Sequence, residues 1–130
     1  MPVIAVGRIE PELGERLVRE GKADVIAMGR KLLADPELPR KLALGRPADV
    51  RPCIYCYVCV AQAFFDRSVR CAVNPVTAHE LELAEAARTP AAVPRKLLVI
   101  GGGPAGLEAA RVAALRGHRV TLYEQGSQLG

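Results

Sequence analysis

Two short apolar runs open the chain. Pro2-Val3-Ile4-Ala5-Val6 and Ala23-Asp24-Val25-Ile26-Ala27-Met28 are each followed by Gly-Arg. Runs of this length bounded by turn residues predict buried strands. Between them, residues 11–20 place Leu13, Leu17 and Val18 on one face of a helix, and Gly21 stops it. Two strands joined by one helix predict parallel pairing through a right-handed crossover. Residues 31–44 predict helical pieces broken by Pro36 and Pro39. The first fifty residues therefore read β-α-β-α.

Residues 46–79 have no clean period, although residues 60–65 predict one or two helical turns. Residues 80–94 predict a short helix and then a linker, punctuated by Pro90 and Pro94. At Arg95 the pattern resets. Residues 96–100 predict a strand, 101–106 a turn, 107–116 an Ala-rich helix closed by Gly117, and 119–123 a second strand. The expectation is an α/β chain carrying two separate βα-type pieces, without internal repeats.

Composition narrows this picture. The chain has 130 residues, 50% hydrophobic and 25% charged, which excludes disorder for most of it. Aromatic residues are only 4% and Trp is absent, so any core is aliphatic. A complete TIM barrel needs about 250 residues and does not fit. Eighteen basic against fourteen acidic residues give a net charge of +4. The basic residues are scattered among acidic ones, so no nucleic-acid surface is expected. No apolar run approaches the roughly 20 residues of a membrane span, and the N-terminus lacks the basic start of a signal peptide. A cytoplasmic, reducing location is expected, in which four cysteines are not disulfides.

All four cysteines fall in one pattern, C-x2-C-x2-C-x11-C, formed by Cys53, Cys56, Cys59 and Cys71. Two intervening residues let neighbouring thiolates turn toward one centre. Four soft thiolates suit an iron–sulfur cluster or tetrahedral zinc. Zinc sites more often use two C-x2-C pairs held apart by a loop, so the tight triple plus one remote cysteine favours [4Fe–4S]. Structural zinc and unrelated buried thiols remain the alternatives. Tyr55 and Tyr57 read as cover for such a cluster, and Val73-Asn74-Pro75 as a stiff turn over it.

Gly101, Gly103 and Gly106 form G-x-G-x-x-G directly between a predicted strand and helix. Gly101 allows the tight turn, Gly103 lets a pyrophosphate approach the backbone, and Gly106 lets helix and strand pack closely. Pro104 belongs at a helix start, where the free N–H groups and the helix dipole face the pyrophosphate. Glu124, eighteen residues past Gly106, ends the second strand, where a carboxylate accepts hydrogen bonds from ribose hydroxyls. FAD or NAD is favoured over NADP there, since a 2′-phosphate would be repelled. A glycine-rich turn of some other βα unit is the alternative. Gly7-Arg8 and Gly29-Arg30 each follow a strand, an arrangement that can grip a phosphate bidentately; two surface arginines in salt bridges are the plainer alternative. His79 and His118 carry no signal.

With these residues in hand, the chain resembles the flavin- and cluster-containing branch of the old yellow enzyme (NADH:flavin oxidoreductase) family, that of 2,4-dienoyl-CoA reductase and trimethylamine dehydrogenase. Residues 2–9 look like its barrel strand seven, and residues 23–30 with Leu33-Ala34-Asp35-Pro36 like strand eight and the segment after it. Arg51-Pro52-Cys53-Ile54 and the other cysteines look like its cluster segment, and residues 95–124 like the start of its FAD domain. The resemblance implies residues 1–50 as the end of a TIM-barrel FMN domain, 51–80 as a 4Fe–4S segment, 81–94 as a linker helix and linker, and 95–130 as the start of a FAD/NAD(P)-binding domain. It implies FMN phosphate near Gly7, Arg8, Gly29 and Arg30, the cluster on the four cysteines, and the ADP part of FAD over Gly101, Gly103, Pro104, Ala105, Gly106 and Glu124. Tyr55 and Tyr57 stand where the family usually has Gly and Asn, and Ala78-His79 replaces a common Gly-Arg.

The expected function is that of an internal fragment of an NAD(P)H-dependent oxidoreductase, of the enoate or 2,4-dienoyl-CoA reductase kind. Its partners are a small enone, enoyl-CoA or amine and the missing remainder of its own chain, with homo-oligomerisation left open. An amine dehydrogenase sending electrons to a carrier protein is the rival reading; a non-catalytic electron-transfer or zinc module is the rival from another class. Catalytic residues would lie on barrel strands outside this sequence, so the fragment alone is expected to be inactive.

Overall fold

The computed structural model describes residues 1–130, apart from the side chain of Ala84. It divides into two compact units, Met1–Ala78 and His79–Gly130.

In the first unit, β1 (Ile4–Val6) and β2 (Val25–Ala27) pair in parallel, with Ile4 opposite Val25 and Val6 opposite Ala27. The pairing is shorter than the apolar runs. Asp24 ends it: its carboxylate accepts the Val3 N–H at 2.6 Å, and its own N–H donates to the Val3 carbonyl at 2.9 Å. The helix α1 (Pro11–Arg19) connects the strands, with Pro11 in its first turn. It rests on β2 through Gly14, where an added Cβ would lie 3.3 Å from the Ile26 side chain and 3.5 Å from that of Ile9. A larger residue there would push helix and strand apart.

After β2 come α2 (Arg30–Ala34) and α3 (Leu38–Ala43). Pro36 separates them as expected. Pro39 does not break α3 but sits in its first turn, where a proline N–H is not needed. A 3-10 turn (Pro47–Asp49) precedes the cysteine segment, and α4 (Val58–Phe64) lies within it. The apolar core is small: Ile9, Ala23, Ala34 and Leu38. The strands predicted as buried are not. Ile4 is 62% and Val6 73% exposed, because a sheet of two strands has helical cover on one face only.

A polar cluster fixes the cysteine segment to the α2–α3 corner. Asp35, Asn74 and Thr77 are buried. The Asp35 carboxylate accepts from Lys41 Nζ at 2.6 Å and from the Arg51 N–H at 2.8 Å. Asn74 donates to the Leu33 carbonyl at 2.9 Å and accepts from Arg51 Nη1 at 2.9 Å, and Thr77 Oγ1 donates to the same carbonyl at 3.0 Å. Residues on both sides of the four cysteines are therefore anchored to Leu33–Asp35.

In the second unit a single wide turn, Glu80–Ala84, runs into α5 (Glu85–Arg88). Strands β3 (Lys96–Ile100) and β4 (Arg119–Tyr123) occupy the predicted residues and pair in parallel over all five positions, from Lys96 opposite Arg119 to Ile100 opposite Tyr123. Between them α6 (Pro104–Leu115) begins at Pro104, three residues before the predicted start, because proline is suited to the first turn. His118 is structural: its Nδ1 accepts the Arg95 N–H at 3.1 Å. Among the described residues no helix is long and apolar enough to cross a membrane.

Candidate functional site

Parallel pairing brings the two Gly-Arg pairs to the same end of β1 and β2, since Val6 lies opposite Ala27 and each pair follows within three residues. The cysteine segment arrives at that end. Arg8 Nη2 donates to the Tyr57 hydroxyl at 2.8 Å. The Arg8 guanidinium carbon lies 5.1 Å from the Tyr55 ring centroid and 5.8 Å from that of Tyr57. For Arg30 the corresponding distances are 5.2 and 4.7 Å. These are cation–π separations.

The electrostatics stem from this packing. The hydrogen bond from Arg8, and then the neighbouring Arg30 guanidinium, pull the Tyr57 phenol below its ordinary range. The Arg30 guanidinium is held more firmly charged, first by Tyr57, with smaller help from the nearby Cys53 and Cys59. One donor of Arg30, Nη1, is buried and has no hydrogen-bond partner among the described residues. A buried N–H without an acceptor is costly, so this atom is where an anion oxygen fits. Beside the pair, Lys31 is buried, and burial alone would favour its neutral form. Glu10, whose carboxylate it reaches at 2.5 Å, and Tyr55 outweigh that and raise it. Tyr55 donates to the other Glu10 oxygen at 3.0 Å.

Cys53, Cys56, Cys59 and Cys71 are all free thiols. No three His, Cys, Asp or Glu among the described residues converge closely enough to hold a single metal ion. One tetrahedral zinc at ~2.3 Å from each sulfur would need its sulfurs about 4 Å apart. Four soft cysteine sulfurs are also the donor set of a multi-iron cluster, which takes each sulfur on a different iron.

The glycine-rich turn lies between β3 and α6. An added Cβ on Gly106 would fall on the Gly101 carbonyl oxygen, so only glycine allows this helix–turn approach. A Cβ on Gly103, which caps α6, would meet nothing within 4 Å. That open space before a helix N-terminus fits a pyrophosphate. Glu124 reaches back into the turn, accepting the Gly102 N–H at 2.6 Å and the Gly126 N–H at 2.8 Å. These backbone donors, Gly126 first, hold its carboxyl below the usual range. The charged carboxylate therefore stands at the end of β4 beside the glycine turn.

The structure brings Gly7, Arg8, Gly29 and Arg30 to one place, and Gly101, Gly103, Pro104, Ala105, Gly106 and Glu124 to another, each within one unit. Sequence reasoning missed the pairing of Tyr55 and Tyr57 with the arginines, and the anchoring by Asp35 and Asn74. The tyrosines were visible as neighbours of cysteines; their partners, up to 49 residues away, were not.

Comparison with known proteins agrees with the two-part character of the chain. Residues 1–49 match the NADH:flavin oxidoreductase / NADH oxidase family, and residues 76–130 match the pyridine nucleotide-disulphide oxidoreductase family. Over its whole length the chain is 52% identical to a metal reductase of Desulforamulus reducens and 47% identical to an NADH oxidase of Thermoanaerobacter brockii, covering 19% and 20% of those proteins. It superposes on the solved structure of a 2-naphthoyl-CoA reductase in complex with 2-naphthoyl-CoA, with a TM-score of 0.90 and 41% identity, over 99% of this chain and 20% of that one. The chain thus spans about a fifth of the length of the relatives it matches.

Proposed function

We propose that the full-length protein of this chain, whose residues 1–49 match the NADH:flavin oxidoreductase / NADH oxidase family, is an NAD(P)H-dependent reductase of an activated C=C bond. In this reading the segments divide as 1–50 for the end of an FMN barrel, 51–80 for a 4Fe–4S segment, 81–94 for a linker and 95–130 for the start of a FAD/NAD(P)-binding domain. The bound groups would supply the redox chemistry: a hydride from NAD(P)H to FAD, single electrons through the cluster, and a hydride from FMN to the substrate.

The chain's own residues do the holding. Gly7, Arg8, Gly29 and Arg30 bind the FMN phosphate, with Arg30 Nη1 as the donor still lacking an acceptor. Cys53, Cys56, Cys59 and Cys71 bind the cluster as thiolates, which a cytoplasmic, reducing location keeps available. The turn from Gly101 to Gly106 takes the pyrophosphate, with Pro104 and Ala105 opening α6 and Gly103 leaving room. Glu124 accepts from the ribose. A conjugated substrate is favoured by the likeness to the 2-naphthoyl-CoA reductase.

The observation that carries this reading is the meeting of both Gly-Arg strand ends with the four-cysteine segment at one end of a parallel β-α-β unit. Anaerobic purification of the full-length protein tests it. Iron, acid-labile sulfide, FMN and FAD are expected, with NADH- or NADPH-dependent reduction of an enone or enoyl-CoA. Zinc in place of iron would remove the redox role of the cysteines. Flavin and iron with turnover of an amine only would replace the reductase with an amine dehydrogenase.

A further inference from the structure

Tyr55 and Tyr57 adopt φ angles of 53° and 61°. This left-handed backbone is disfavoured for bulky L-residues and easy for glycine. Two such residues separated by one cysteine need a compensating interaction, and the contacts with Arg8 and Arg30 supply it.

The two guanidiniums sit at the ends of adjacent strands and repel one another. The Tyr57 hydroxyl relieves this by accepting from Arg8 at 2.8 Å. Its ring also lies 4.7 Å from the Arg30 guanidinium carbon. Arg30 Nη1 is left buried and without a partner among the described residues. The pair is therefore held in place with one donor still open.

We infer that Tyr57 is a positioning residue for the anionic group of the bound flavin: its hydroxyl holds Arg8 while its ring faces Arg30, so that the unpartnered Arg30 donor meets a phosphate oxygen. This rests on the reading of the Gly-Arg ends as a flavin phosphate site. Preorganisation of this kind raises affinity without touching the ligand. Because Tyr57 lies between Cys56 and Cys59, grip on the phosphate and placement of the cysteine segment depend on one side chain.

The test uses the full-length protein stripped of flavin, titrated with FMN and with riboflavin, which lacks the phosphate. Tyr57→Phe keeps the ring and removes the acceptor. Tyr57→Gly removes the side chain and suits the left-handed backbone, so it remains informative if the first variant folds poorly. Both are expected to weaken FMN binding roughly tenfold, the scale of one hydrogen bond to a charged group, and to leave riboflavin binding unchanged. FMN affinity unchanged in both variants would overturn the inference. So would a parallel loss of riboflavin, which marks a merely structural role. If the unaltered protein binds FMN no more tightly than riboflavin, the phosphate site itself fails, an outcome distinct from failure of the Tyr57 role.

Discussion

Asp35 is buried against Lys41 and against the backbone N–H groups of Arg51 and Glu37. Burial by itself would raise its carboxyl, but the Lys41 ammonium and the two backbone donors outweigh burial and hold it below the ordinary range. A carboxyl lowered on folding stabilises the fold above its unfolded pKa of about 3.9 and loses that contribution as pH falls through the lower folded value. Thermal unfolding followed by circular dichroism is expected to show an acid limb below about pH 4, and Asp35→Asn is expected to flatten it. An unchanged acid limb would deny Asp35 that role. Asn74 is the matching anchor on the other side of the cysteines. Asn74→Ala leaves Arg51 Nη1 and the Val76 N–H without their acceptor and is expected to cost ~1–3 kcal/mol, measured by denaturant unfolding. The cysteine pattern was legible residue by residue because ligand chemistry restricts which side chains serve. These anchors were not, since an Asp and an Asn in turn-rich sequence look alike whether buried or exposed.

At the level of elements, β3 and β4 run over the predicted residues, while β1 and β2 are each shorter than their apolar runs. In β3 every second residue is half-buried and the pattern alternates cleanly. Around β1 a side chain intrudes: Asp24 takes the Val3 N–H and ends the pairing. The glycine-rich turn yields two opposite expectations from two neighbouring glycines. Gly106→Ala drives a Cβ onto the Gly101 carbonyl and is expected to destabilise the second unit by ~1–3 kcal/mol as well as to abolish FAD retention. Gly103→Ala puts its Cβ into open space, so stability is expected to hold while FAD affinity falls. Melting temperature and flavin content, measured together on the full-length protein, separate them. Equal melting temperatures for the two variants would sink this account of the turn.

For the whole molecule, exposure of the strand faces matters most. Ile4, Val6 and Val25 in the first unit, and Leu98, Ile100 and Tyr123 in the second, are all more than half exposed. Bare apolar strand faces mark surfaces built to be covered. The 130-residue chain by itself is therefore expected to bind ANS and to associate in sizing experiments. A monodisperse monomer without ANS fluorescence would contradict this.

The sequence by itself determined the two βα pieces, the four-cysteine spacing and the glycine turn. Each is set by local spacing: 3.6-residue periodicity, short apolar runs, ligand intervals and a turn that only glycine can make. Only the tertiary structure decided that Tyr57 faces Arg8 and Arg30, that Asp35 and Asn74 hold the cysteine segment, and that one Arg30 donor is left buried without a partner. Those contacts join residues up to 49 positions apart. Their geometry depends on how parallel strands bring their ends together, which no local pattern encodes.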